Sequence, residues 1–184
     1  NLTDLTLAQL EKLYIDFSEK IIADESNKDK ARAWFKKLEE GDTHAREVWQ
    51  KVKDISLKEF ESLYQNLDID IDEVRGESFY GGMGNSGDKM LEIINEAKRL
   101  GLAKEGERGA LIIELENMPP GMLLKSDGTT TYFTRDLAAI KYRVEEDKAE
   151  KIIYEVGSEQ ILHFRQVFAA TRKFEWGKNV ELVH

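Results

Sequence analysis

Apolar positions in the first third of the chain recur every three or four residues. Leu7, Leu10, Tyr14, Phe17 and Ile21 form such a stripe, which predicts an amphipathic helix. Ala31, Trp34, Phe35 and Leu38 predict a second helix, ended near Gly41 by a residue suited to a C-terminal cap. A third begins near Asp42 and carries Val48, Trp49 and Val52. Ser56-Leu57-Lys58-Glu59 has the serine-to-glutamate spacing of a capping box, so a fourth helix is expected from there through Tyr64. The charged faces between the stripes read as solvated surface.

From residue 68 the period shortens. Asp68 to Val74 alternates apolar and acidic residues, as a short strand does, and Asp88 to Leu100 reads as a helix stopped by Gly101. Ala110 to Leu115 is a compact apolar run expected to be a strand, whereas Ala103 to Gly109 looks loop-like. Met122–Leu124 and Thr129–Phe133 flank Ser126-Asp127-Gly128, and Asp-Gly between such segments predicts a hairpin. Thr134–Glu146 reads as helix, Lys151–Val156 as strand, Glu159–Phe174 as helix and Val180–Val183 as a last strand. The strand–helix alternation predicts a parallel sheet with crossover helices. The expected organisation is a helical segment over 1–67 and an α/β core over 68–184, with a hairpin near 121–133.

Composition narrows the function classes. No stretch of the 184 residues approaches the ~20 apolar residues needed to span a bilayer, so no membrane span is expected. The opening NLTDLTLAQL has neither a basic region nor an apolar one, so no signal peptide is read there. The absence of Met at position 1 points to a fragment or a processed chain. With no cysteine, thiolate metal sites and disulfides are excluded, in keeping with the cytoplasm. Acidic residues outnumber basic ones 36 to 27, for a net charge of -9. The chain alone should therefore hold RNA weakly, because affinity for phosphates depends on a basic face.

Gly82 to Gly87 spells G-x-G-x-x-G, the pattern of a dinucleotide-binding turn. The preceding DEVRGESFY is too charged for a buried strand, and no acid is presented at a strand end some 20 residues on. Asp88 stands where a phosphate loop needs lysine. A surface loop is the better reading, with a dinucleotide-dependent oxidoreductase as the rival. His44, His163 and His184 lack acids at metal-ligand spacing, and no G-x-S-x-G elbow is present.

The stretch Lys125 to Ala138 carries more. Tyr132 and Asp136 lie four residues apart where strand gives way to helix, near the edge at which open α/β sheets bind ligands. A carboxylate there suits a guanidinium, whose planar fork donates two parallel N–H bonds. From spacing alone the plainer reading is Asp136 as a first-turn acid favoured by the helix dipole and Tyr132 as hairpin packing. Gly157 to Phe164 follows the next strand in the same way. Gln160 there offers donor and acceptor to an α-amino or carboxylate group, or simply opens a helix at the surface.

KSDGTTTYFTRDLAAIKYR, IIYEVGSEQILHFRQVF and the terminal ELVH together closely resemble arginyl-tRNA synthetases. LYIDFSEK, KLEEGDTHAREVWQKVKDISL and LDIDIDEVRGESFY add weaker agreement, in the family's order over nearly the whole chain. The resemblance implies an incomplete Rossmann-like class I catalytic core that joins arginine to its tRNA through arginyl-adenylate. It implies that Tyr132 and Asp136 line the pocket for the arginine side chain and that Gln160 holds the amino-acid end. Gly157, Glu159 and His163 become nucleotide-side candidates. ATP with Mg is implied as substrate of the full enzyme, with no tightly bound cofactor and no metal ligand in this chain. The parent is expected to be monomeric, and tRNA contacts are expected from domains not present here. HIGH-like and KMSKS-like sequences, which hold the ATP phosphates in the family, are absent. The chain alone is therefore expected to be inactive, with no catalytic residue of its own. A non-catalytic synthetase-like module is the other alternative.

Overall fold

A computed structural model of the chain describes residues 5–81 and 88–184. Contacts divide it into two units, residues 1–74 and 75–184.

The first unit is helical: α1 (Leu7–Ala23), α2 (Ser26–Glu39) and α3 (Thr43–Asn66). Thr6 caps α1 in a capping box with Gln9. Asp42 caps α3 by accepting a bond from the Ala45 N–H. The predicted break at Ser56 does not occur, because the Ser56 hydroxyl donates to the Val52 carbonyl one turn back at 3.0 Å. A serine bonded in this way sits within a helix instead of starting one, and α3 runs unbroken for 24 residues. Among the described residues of this unit only Ala45 is buried. Tyr14 and Ile22 are 75% and 86% exposed.

The expected strand at 68–74 is likewise absent. Asp68 turns the chain with φ +54°, and Ile69, Ile71 and Val74 are exposed without a partner strand. Alternation alone does not make a strand when no sheet is there to pair with it.

The second unit contains α4 (Lys89–Arg99), β1 (Ala103–Glu105), β2 (Leu111–Ile113), β3 (Gly121–Leu124), α5 (Tyr132–Glu145), β4 (Lys151–Ile153), α6 (Ile161–Thr171) and β5 (Glu181–Val183). β1, β2 and β3 form an antiparallel sheet in sequence order. β4 and β5 pair in parallel, Ile152 opposite Leu182. The architecture is thus mixed α/β, with one small antiparallel and one small parallel sheet. The predicted parallel pairing is realised between β4 and β5 across α6, but β3 joins the antiparallel sheet. β1 lies in the stretch read as loop, where Lys104 ion-pairs with Glu114 on the neighbouring segment.

The core follows helical and strand periodicity. Met90, Ile93, Ile94 and Ala97 point inward from α4, and Phe133, Leu137, Ala138 and Ile140 from α5. Ile113, Leu123, Ile152, Val167 and Phe174 complete it. A Lys141–Glu96 ion pair at 2.8 Å ties α5 to α4, and the Trp176 indole N–H donates to the same carboxylate. Gly177 lies so close to Thr171 that a Cβ there would come within 2.1 Å of the Thr171 carbonyl oxygen, so only glycine fits.

Candidate functional site

The entry to α5 is built by the run Asp127-Gly128-Thr129-Thr130-Thr131. Asp127 accepts bonds from the N–H and hydroxyl of Thr129 at 2.9 and 2.7 Å, which holds its carboxyl below the usual aspartate range. Gly128 takes φ +81°, a backbone conformation that favours glycine. The predicted hairpin turn forms, but its return arm is one isolated bridge, Leu124 to Thr130. Thr131 then caps the helix, so α5 starts two residues earlier than expected and Tyr132 lies in its first turn.

Two threonine hydroxyls fasten this turn to β3. Thr131 donates to the Met122 carbonyl, and Thr134, fully buried, donates to the Leu123 carbonyl at 2.6 Å. The helix is thereby anchored just before Tyr132 and again between Tyr132 and Asp136. Tyr132 and Asp136, four positions apart on one helix, share a face.

Tyr132 is 68% exposed, and the Arg135 guanidinium lies 5.1 Å from its ring centre. Arg135 is itself held by Glu77 at 2.9 Å. The Asp136 carboxylate meets the His163 imidazole Nε2 at 2.6 Å, with the two side chains 28% and 29% exposed. The structure therefore brings His163, read as a nucleotide-side candidate, against the carboxylate read as an arginine ligand. Behind them lie Phe164, with its ring 5.1 Å from that of His163, and Tyr154, 4.4 Å from Phe164. Burial pushes the Tyr154 hydroxyl well above the ordinary tyrosine range; Arg143, which donates to it at 3.1 Å, partly offsets this, and the Asp136 charge adds to it.

Gly157, Glu159 and Gln160 lie in the exposed turn that leads into α6. The Gln160 N–H donates to the Gly157 carbonyl at 3.0 Å, leaving its amide side chain at the helix start without a capping role. A Cβ at Gly157 would meet only the flexible Glu159 carboxylate. Gly82 to Gly87 lie outside the described residues. The residues before them form a 3-10 helix, Glu77–Phe79, and one bridge, Gly81 to Asp88, where a dinucleotide fold would place a strand. Among the described residues no three His, Cys, Asp or Glu side chains gather as metal ligands. Sequence reasoning missed Thr131, Thr134, Arg135, Glu77 and Tyr154; the Thr-x-x-Thr spacing was the one available cue, a cap signal three residues long.

A family model described as "tRNA synthetases class I (R), catalytic domain" matches residues 1–184. The chain belongs to this synthetase family. Among similar proteins, the arginine–tRNA ligase of Clostridioides difficile is 44% identical over 182 residues, covering 97% of this chain and 31% of that protein. That of Exiguobacterium sibiricum is 41% identical over 180 residues, with the same coverages. The solved arginyl-tRNA synthetase of Plasmodium falciparum superposes with a TM-score of 0.74 at 32% identity, over 87% of this chain and 28% of that one. A structure titled as a putative arginyl-tRNA synthetase from Campylobacter jejuni, at 17% identity and a TM-score of 0.61 over 84% of this chain and 34% of that one, shares the fold. This synthetase chain thus spans 31% of the length of these curated relatives.

Proposed function

We propose that the chain forms the amino-acid-recognition wall of an arginine–tRNA ligase. The observation that carries this reading is the Asp136 carboxylate, held half-open on α5 one turn after the exposed Tyr132. A guanidinium approaching Asp136 gains paired, charge-assisted N–H bonds, and the Tyr132 ring, one face of which already meets Arg135, stands one turn before it. Gln160, at the mouth of α6, is suited to the α-amino or carboxylate end through its donor and acceptor.

ATP with Mg is the co-substrate of the complete enzyme, and Gly157 and Glu159 form the nucleotide-facing edge of this wall. Neither a HIGH-like nor a KMSKS-like sequence is present, so the 184 residues bind without activating. Catalysis of adenylate formation rests on positioning and charge stabilisation at the phosphates. Arginine tRNA is the second substrate, gripped by segments outside these residues, given the acidic excess of the chain. The complete enzyme acts as a monomer in the cytoplasm. No described helix is long and apolar enough to cross a membrane.

Calorimetric titration with arginine tests the reading. The chain should release heat that Asp136→Ala loses, and equal heats from the two proteins would refute the pocket assignment.

A further inference from the structure

We infer that His163 is a positioning residue for arginine selection: it orients the Asp136 carboxylate while leaving its negative charge available to the substrate. This rests on the proposed role of Asp136 and deepens it.

A carboxylate only accepts hydrogen bonds, so at 2.6 Å the His163 Nε2 must carry the proton and donate it to Asp136 Oδ2. No other described side chain bonds Asp136. One bond from outside the helix therefore decides how the carboxylate is turned. The donor is itself oriented by packing. His163 meets the ring of buried Phe164 nearly at right angles, and Phe164 rests on Tyr154.

The neighbouring cations are engaged elsewhere. Arg135, next to Asp136 in sequence, is paired with Glu77, and Arg143 donates to the Tyr154 hydroxyl. Neither guanidinium bonds the Asp136 carboxylate, although Arg135 also lies against the Tyr132 ring. The choice of imidazole matters for the same reason. A lysine or arginine at 163 would hold the carboxylate by neutralising it and would compete with the substrate cation. An imidazole N–H holds one oxygen by a single bond. Oδ1 and the second lone pair of Oδ2 stay free for a two-pronged guanidinium contact. His163 lies 27 residues beyond Asp136, on α6, so α5 supplies the ligand and α6 sets its direction.

The test compares His163→Gln with His163→Asn in the complete polypeptide that carries these residues, by arginine-dependent ATP–pyrophosphate exchange. The glutamine amide nitrogen reaches roughly the position of Nε2, whereas that of asparagine stops near Nδ1, so only the first keeps the donor. H163N should raise the arginine KM about tenfold, the loss of one bond to a charged acceptor. The ATP KM should stay within about twofold, and H163Q should keep the arginine KM within about threefold of the parent. Equal damage from both variants would reduce His163 to ring packing. Damage confined to the ATP KM would move it to the nucleotide side, and no change in either variant would remove it from the site. Asp136→Asn separates the two proposals. If it leaves the arginine KM unchanged, the pocket reading fails; if it raises that KM while both His163 variants are silent, only the present inference is overturned.

Discussion

Gly121→Ala probes the seat on which the candidate site is built. Gly121 opens β3 and is buried under Phe133, the residue between exposed Tyr132 and bolted Thr134. A Cβ at 121 would lie 2.0 Å from Phe133 Cζ and 2.4 and 2.5 Å from its two Cε atoms, where ordinary contact begins at 3.4 Å. The ring must retreat by 3.4 − 2.0 = 1.4 Å. It has little room, being 5% exposed and part of the cluster with Leu123 and Leu137. Overpacking of a close-packed core costs about 1–3 kcal/mol, and a clash with three ring atoms places this case near the upper end, about 2–3 kcal/mol. Phe133→Leu removes the clashing atoms at a cost of about 1–1.5 kcal/mol. The double variant should then be more stable than the sum of the two losses by at least about 1 kcal/mol.

Urea unfolding of the 184-residue chain reads this out, with Trp34 and Trp49 changed to Phe so that Trp176, which packs against the second unit's core, is the sole reporter. A G121A variant within about 0.5 kcal/mol of its parent, or strict additivity in the double variant, would show that the Gly121–Phe133 contact does not constrain the start of α5.

Two further predictions follow from buried tyrosines. The Tyr80 hydroxyl is buried with no hydrogen-bond partner among the described residues, so Tyr80→Phe should stabilise the chain by about 1 kcal/mol in urea, the cost of an unpaired buried hydroxyl removed; a loss of stability would mean that the hydroxyl is satisfied. Burial, partly offset by Arg143, also raises Tyr80 above the ordinary tyrosine value of 10.0, and it raises Tyr154 further. Below that value both states hold the proton and the contribution is complete. Above it the unfolded chain loses the proton first, so stability falls as pH rises toward the raised folded value. Urea midpoints should drop between about pH 9 and 11, and Tyr154→Phe should flatten that drop; an unchanged slope would mean that Tyr154 is not held neutral by the fold.

What was legible in the sequence was chiefly what is encoded locally. The helices of both units follow from apolar periods that each turn repeats, and Asp127-Gly128 carries its turn in its own backbone preferences. Tyr132 and Asp136 were paired by a spacing of four, which holds on the helix where both lie. Most of the misreadings depend on partners remote in sequence; Ser56 is the local exception. The capping signal at Ser56 is silent because its hydroxyl found the Val52 carbonyl inside a longer helix. Ile69 and Ile71 alternate with aspartates but have no sheet to join. Ala103 to Glu105 looked like loop and became β1 because Leu111 to Ile113 was there to pair with it. His163 could not be joined to Asp136 from spacing, since the contact exists only once α6 packs on α5.

That asymmetry bears on how the carboxylate is held. A recognition site must keep its groups within roughly 0.5 Å of the productive geometry, which calls for support beyond the residues that touch the ligand. The backbone of Asp136 is set from β3, through the hydroxyls of Thr131 and Thr134. Its side chain is set from α6, through His163. The Thr134 half of the first anchor is buried and continuous with the core, so weakening it costs fold and site together. The second is about one-third exposed on both sides, where an ion pair or hydrogen bond adds little to stability. A contact that contributes so little to the fold, yet is supported from behind by the packed rings of Phe164 and Tyr154, is better explained by what it orients than by what it stabilises.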